Sequence, residues 1–124
     1  MRLQTIALLL FTITMATAGA IGDASAQVNP FPGRAPKLTE QDMKLLSEST
    51  AKLNNGQSPS VGQVAKWSNP RTGAHGITSL TRLYHDQGMA CHALRYQVSP
   101  NQSRSLRTYN LDWCKKDGEW KVKS

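Results

Sequence analysis

A chain of 124 residues with a formal charge of +7, two cysteines, three tryptophans and two phenylalanines has room for one small domain. Multidomain enzymes, repeat arrays and dinucleotide-binding folds are excluded by size or by the lack of their signatures. After the first two dozen residues no apolar run approaches the roughly 20 residues of a membrane-spanning helix, so no transmembrane helix is expected in the mature chain.

Those first residues have the three-part pattern of a secretory signal peptide. Arg2 precedes the apolar run Ile6-Ala7-Leu8-Leu9-Leu10-Phe11, and a small-residue tail ends in Ala24-Ser25-Ala26. Cleavage after Ala26 is preferred to cleavage at Ala18-Gly19-Ala20, because it leaves a polar start at Gln27. The peptide over 1–26 carries one base, Arg2, and one acid, Asp23, so the excess positive charge belongs to the exported protein. No cysteine lies near the cleavage site to accept a lipid. Residues 27–37, with Pro30, Pro32, Gly33 and Pro36, read as a flexible Pro-rich arm without stable structure. Residues 38–124 then form the domain.

The domain opens with a helix signal. Thr39 is placed to cap, Asp42 stands at the third helical position of a capping-box variant, and Leu38 and Met43 occupy staple positions. Met43, Leu46, Thr50 and Leu53 recur at helical spacing until Asn54-Asn55-Gly56, which predicts one amphipathic helix from about Glu40 to Asn54. Beyond Pro59 the period changes to two. Strands are expected over Val61–Ser68, His75–Tyr84, Met89–Ser99, about Arg104–Lys115, and a short segment carrying Trp120 and Val122. The turns fall at Asn69-Pro70-Arg71-Thr72-Gly73, Asp86-Gln87-Gly88 and Asp117-Gly118. The expected fold is α+β: an N-terminal amphipathic helix packed on a five-stranded antiparallel meander.

A hairpin centred between Gln102 and Ser103 sets Leu94 opposite Leu111, Tyr96 opposite Tyr109 and His92 opposite Trp113 on one face. The other face then pairs Ala93 with Asp112, Arg95 with Asn110, and Cys91 with Cys114. One register yields an apolar face, a polar face and two opposed cysteines, and a one-residue slip destroys all three. In an oxidising compartment Cys91 and Cys114 are expected to form a disulfide worth roughly 3 kcal/mol. The absence of a C-x-x-C pattern argues against a redox role.

No catalytic residues, metal site or cofactor are expected. His85 and Asp86 are adjacent in a strand and point to opposite faces, and His92 reads as a core-edge contact beside Trp113. No H-x-x-x-H or cysteine–histidine constellation is present. The basic residues Arg104, Arg107, Lys115, Lys116, Lys121 and Lys123 form local gatherings. They read either as a solvated surface with edge-strand lysines or as contacts to anionic envelope lipids or glycans. Nucleic acid is disfavoured, since a module for it interleaves exposed aromatics with its charges and here the aromatics fall mostly on the buried face.

The opening Leu38-Thr39-Glu40-Gln41-Asp42, the run Trp67-Ser68-Asn69-Pro70-Arg71-Thr72-Gly73 with Gly76, the segment Gly88-Met89-Ala90-Cys91 with Tyr96, and Asn110-Leu111-Asp112-Trp113-Cys114 with Asp117-Gly118-Glu119-Trp120-Lys121 together carry a family pattern. In their order and spacing they resemble the proteobacterial surface-antigen domain, similar to the C-terminal domain of the rickettsial 17-kilodalton outer-membrane surface antigen. The resemblance spans about Leu38 to Val122. It implies an envelope-associated protein with a small antiparallel sheet and no assigned catalysis. Trp67, Asn69, Pro70, Gly73, Gly118 and Trp120 match the pattern as core or turn residues. Unlike the prototype, this chain has no lipid-modified N-terminal cysteine and has prolines where the prototype has a glycine-rich segment. The expectation is therefore an exported, non-enzymatic protein, periplasmic, outer-membrane-associated or secreted, with a binding or structural role in the bacterial envelope. The alternatives are a small periplasmic hydrolase built on His85 or His92, and an inhibitor or accessory subunit of an envelope complex.

Overall fold

The computed structural model describes residues 31 and 36–123; the expected signal peptide, its cleavage site and most of the arm lie outside the described residues. Helix α1 spans Glu40–Asn54. It is the first element of the domain and not the N-terminus of the chain, because prolines run up to Pro36 and the cap is Thr39. The capping box is complete: Thr39 Oγ1 accepts from the Asp42 amide at 3.1 Å, and an Asp42 carboxylate oxygen accepts from the Thr39 amide at 2.9 Å. The strands are β1 (Val64–Ser68), β2 (His75–Asp86), β3 (Met89–Ser99), β4 (Arg107–Lys116) and β5 (Glu119–Val122). They lie in the order β1-β2-β3-β4-β5 with every neighbour antiparallel.

The central register is the expected one, running from Cys91↔Cys114 through Leu94↔Leu111 and Tyr96↔Tyr109 to Val98↔Arg107. Two strands start later than their sequence pattern suggests. Before β1, Gln63 donates to the Ser58 carbonyl and accepts from the Ser60 amide, both at 3.2 Å, closing a loop that leaves Val61 exposed. Before β4, the buried Ser99 hydroxyl points its hydrogen between the Asn101 and Arg104 carbonyls, at 2.5 and 2.8 Å, and Asn101 Oδ1 accepts from the Ser103 amide and hydroxyl. Arg104 therefore belongs to a built β3–β4 loop and not to a strand. The β2–β3 and β4–β5 turns are two-residue turns with positive φ at both positions, Gln87 and Gly88 in one, Asp117 and Gly118 in the other, as a type I′ hairpin requires. One feature of β2 has no signature in the sequence: its register with β3 shifts between Leu80 and Arg82. The Thr81 hydroxyl there donates to the Ala93 carbonyl at 3.0 Å, and the bulge puts Arg82 and Tyr84 on the side of the sheet away from α1.

The core between α1 and the sheet holds Leu46, Leu53, Trp67, Leu80, Leu94, Tyr96, Val98 and Leu111, with α1 packed chiefly on β1 and β2. Phe31 joins it. Its ring is 6% exposed, stacks on Tyr109 at 4.4 Å and meets Tyr96 edge-on at 5.2 Å. Phe31 lies in the segment expected to be a flexible arm, and its aromatic ring is buried there. Trp67 covers Gly76 so closely that a Cβ there would lie 2.6 Å from the indole nitrogen and 2.9 Å from the Gln97 carbonyl oxygen. Because the latter is backbone, Gly76→Ala is expected to destabilise the fold by about 2 kcal/mol, read as a lower urea midpoint.

Candidate functional site

The start of α1 and the β1–β2 turn meet at Asp42. Asp42 caps α1 and is also almost fully buried; its Oδ1 accepts from Asn69 Nδ2 at 2.7 Å and from the Thr72 hydroxyl at 2.8 Å. Asn69 closes its own turn, with Oδ1 accepting from the Arg71 amide at 3.1 Å, and Gly73 completes it at φ +77°. Asn69, Thr72 and Gly73 therefore serve to clip the β1–β2 turn onto the start of α1, while Pro70 remains exposed. Burial pushes the Asp42 carboxyl up, but the hydrogen bonds from the Thr39 amide, Thr72 and Asn69 outweigh it and hold the pKa below its ordinary 3.8.

Further along α1 the contact with the sheet is also polar. Trp113 Nε1 donates to the Tyr96 hydroxyl at 3.0 Å, Tyr96 donates to Thr50 at 2.8 Å, and Thr50 donates to the Leu46 carbonyl at 3.2 Å. Thr78 donates to Ser49 at 2.9 Å, which in turn donates to the same carbonyl at 2.6 Å. Burial pushes the Tyr96 phenol up to about 12 against the hydrogen bond it accepts from Trp113. The network locks α1 to the sheet.

Cys91 and Cys114 are joined, with S–S 2.06 Å, and both are buried. Beside them on the outer face, Tyr84 donates to Asp112 at 2.5 Å, and the Arg82 guanidinium lies 4.1 Å from the Tyr84 ring centroid. Lys123 reaches the same ring and pairs with Asp86 at 3.1 Å. The hydrogen bond to Asp112, with burial second, raises the Tyr84 phenol above its ordinary value.

His92 Nδ1 lies 2.9 Å from Asn54 Oδ1; an amide oxygen only accepts, so Nδ1 carries the hydrogen and Asn54 contributes no charge. The His92 ring lies against Trp120 at 4.2 Å, and burial lowers its pKa. Its stacking partner is thus Trp120, while Trp113 is its cross-strand neighbour. His85 is exposed. Among the described residues, no three His, Cys, Asp or Glu side chains gather as a metal site.

The structure separates the six basic candidates into two groups at opposite ends of β4. Lys115, Lys116, Lys121 and Lys123 share the β4–β5 hairpin with Asp117 and Glu119. Lys123 is paired with Asp86, Lys121 stands 4.0 Å from Glu119, and Lys116 is the cross-strand neighbour of Glu119. At the other end Arg104 and Arg107 come together with Lys37, which the sequence did not single out. These three line a recess of about 390 Å³ completed by Pro36, Pro100, Asn101 and Ser105. None of its lining residues is acidic, and among the described residues no carboxylate lies within ion-pair distance of the three cations. Lys37 sits at the junction of arm and domain. The nearest signal in the sequence is Phe31, an aromatic between two prolines, whose ring packs on Tyr96 and Tyr109.

No family model matches this chain, and no curated protein or solved structure does either. The reading of its function rests on its own residues.

Proposed function

We propose that the chain is an exported, non-enzymatic, surface-antigen-like protein of the bacterial envelope, periplasmic or outer-membrane-associated, that holds to anionic lipid or glycan through its Lys37–Arg104–Arg107 end. One observation carries the binding part of this reading: these three cations line one recess without an acid, whereas the lysines of the β4–β5 hairpin are interleaved with Asp117 and Glu119 and reach Asp86. Uncompensated charge on one face attracts an anionic surface; compensated charge mainly keeps a protein soluble. Export is supported by the signal-peptide pattern over 1–26 and by a buried disulfide, which suits an oxidising compartment.

Flotation of the oxidised mature protein with vesicles tests the binding. Vesicles rich in phosphatidylglycerol are expected to carry it at low ionic strength and to release it as salt rises, since the Debye length falls to about 8 Å at physiological ionic strength. Zwitterionic vesicles are expected to leave it in solution. Equal behaviour with both vesicle types would refute the reading.

A further inference from the structure

We infer that the Lys37–Arg104–Arg107 recess is a discrete site for a phosphate monoester, the phosphate of a lipid headgroup or of a phosphorylated sugar. This rests on the anionic-surface reading above and names the group that the surface presents.

The chemistry follows from the donors. Two guanidinium groups offer planar forks of N–H donors, and an ammonium adds a compact point charge. A carboxylate brings one negative charge and two oxygens, which satisfies one fork and leaves the other two cations uncompensated. A phosphodiester also brings only one charge. A phosphate monoester carries about −1.5 to −2 at neutral pH with three terminal acceptor oxygens, which matches two forks and a point charge. Arg–phosphate pairing of this kind is both strong and geometrically selective. The recess, about 390 Å³, lies in the range of roughly 300–1,000 Å³ common for small-molecule sites, so it leaves room for the sugar or glycerol that bears the phosphate. Pro36 and Pro100 give it stiff walls, and Asn101 and Ser105 add polar groups.

The frame is set before any ligand arrives. The Ser99 hydroxyl holds the Arg104 carbonyl, Asn101 Oδ1 holds Ser103, and Val98 pairs with Arg107 at the start of β4. Arg104 thus stands on a loop whose backbone is tied from inside and Arg107 on the first residue of β4, which lowers the ordering cost of binding.

Galactose phosphate, glucuronate, and vesicles containing either phosphatidic acid, a monoester, or phosphatidylglycerol, a diester, are the probes. Amide shifts in isotope-edited NMR spectra and vesicle flotation are the readouts. Saturable shifts over residues 101–107 with galactose phosphate, and at least tenfold weaker binding of glucuronate, support the site for a free phosphosugar. Stronger flotation with phosphatidic acid than with phosphatidylglycerol at matched surface charge, without a galactose phosphate shift, supports a lipid-borne phosphate. Arg104→Ala and Arg107→Ala are each expected to weaken the monoester at least tenfold with the rest of the spectrum unchanged. Arg104→Lys keeps the charge but loses the fork, and is expected to fall between. Equal binding of monoester, diester and carboxylate, or monoester binding indifferent to both arginine substitutions, overturns the inference and leaves the anionic-surface reading standing. Failure to bind any anionic vesicle overturns that reading itself.

Discussion

Replacing Asp42 by alanine is expected to destabilise the domain by about 3 kcal/mol or more, the range for removing a buried charged acceptor from its hydrogen-bonded partners. Three donors lose their acceptor at once: the Thr39 amide, Asn69 Nδ2 and the Thr72 hydroxyl. The loss has two physical parts. The Thr39 amide is one of the unpaired donors of a helix start, and an acid there also meets the positive end of the helix dipole. The other part is tertiary, because Asn69 and Thr72 attach the β1–β2 turn to α1, and Asn69 is buried. Asn69→Ala removes one donor while leaving Thr72 and Thr39 in place, so its cost should be a fraction of that of Asp42→Ala in urea unfolding.

The same carboxylate predicts a direction with pH. Its pKa is lowered in the folded state, so the unfolded chain binds the proton more tightly and folding is linked to proton release. The Asp42 contribution is therefore fully present above its ordinary value of 3.8 and is lost as pH falls through the lower folded value. Chemical denaturation across the acid range should show this loss in the native sequence and a shallower acid limb in Asp42→Ala.

The second large effect belongs to the disulfide. Cys91 and Cys114 are 23 positions apart, and closing a loop of that length stabilises a fold by about 3 kcal/mol in the chain-entropy model. The double substitution Cys91→Ala with Cys114→Ala is the cleaner comparison, since reduction leaves two thiols in a space shaped for one bond. The pair lies within a β3–β4 ladder that continues from His92↔Trp113 to Val98↔Arg107. The variant should therefore keep its circular dichroism spectrum while its urea midpoint falls. An unchanged midpoint would mean that the reduced unfolded chain is already restricted.

What could be read in advance follows from how locally each feature is encoded. The helix was legible because Thr39 and Asp42 are three residues apart and the capping box is a contact at that spacing. The β3–β4 register was legible because alternation places Leu94, Tyr96, Leu111 and Tyr109 on one face, and because two cysteines can be opposed in only one register. Gly88 and Gly118 marked their turns through the positive φ they adopt. The second role of Asp42 was not legible, since a capping acid looks solvent-exposed until Asn69 and Thr72 arrive from 27 and 30 residues away. The bulge before Arg82 left no trace, because Thr81 fits an extended strand as well as a bulge. Phe31 was hidden among prolines that suggest an extended arm. The charges misled in a related way. Lysines at 115, 116, 121 and 123 look like a patch along the chain, but a hairpin folds Asp117 and Glu119 among them and Asp86 comes from β2. Arg104 and Arg107 look sparse, and become a cluster only when the fold sets Lys37 in the same recess.

On the binding proposed above, the location of the positive charge governs attachment to an anionic surface, not its total. The most direct measurement compares two variants of equal net charge, Arg104→Glu with Arg107→Glu and Lys115→Glu with Lys116→Glu, by the affinity of each for phosphatidylglycerol vesicles across a salt series. The loop variant is expected to lose most of the binding and to flatten its salt dependence, while the hairpin variant stays near the native protein. Equal losses in both variants would contradict the claim and reduce the basic recess to one part of a diffuse positive surface.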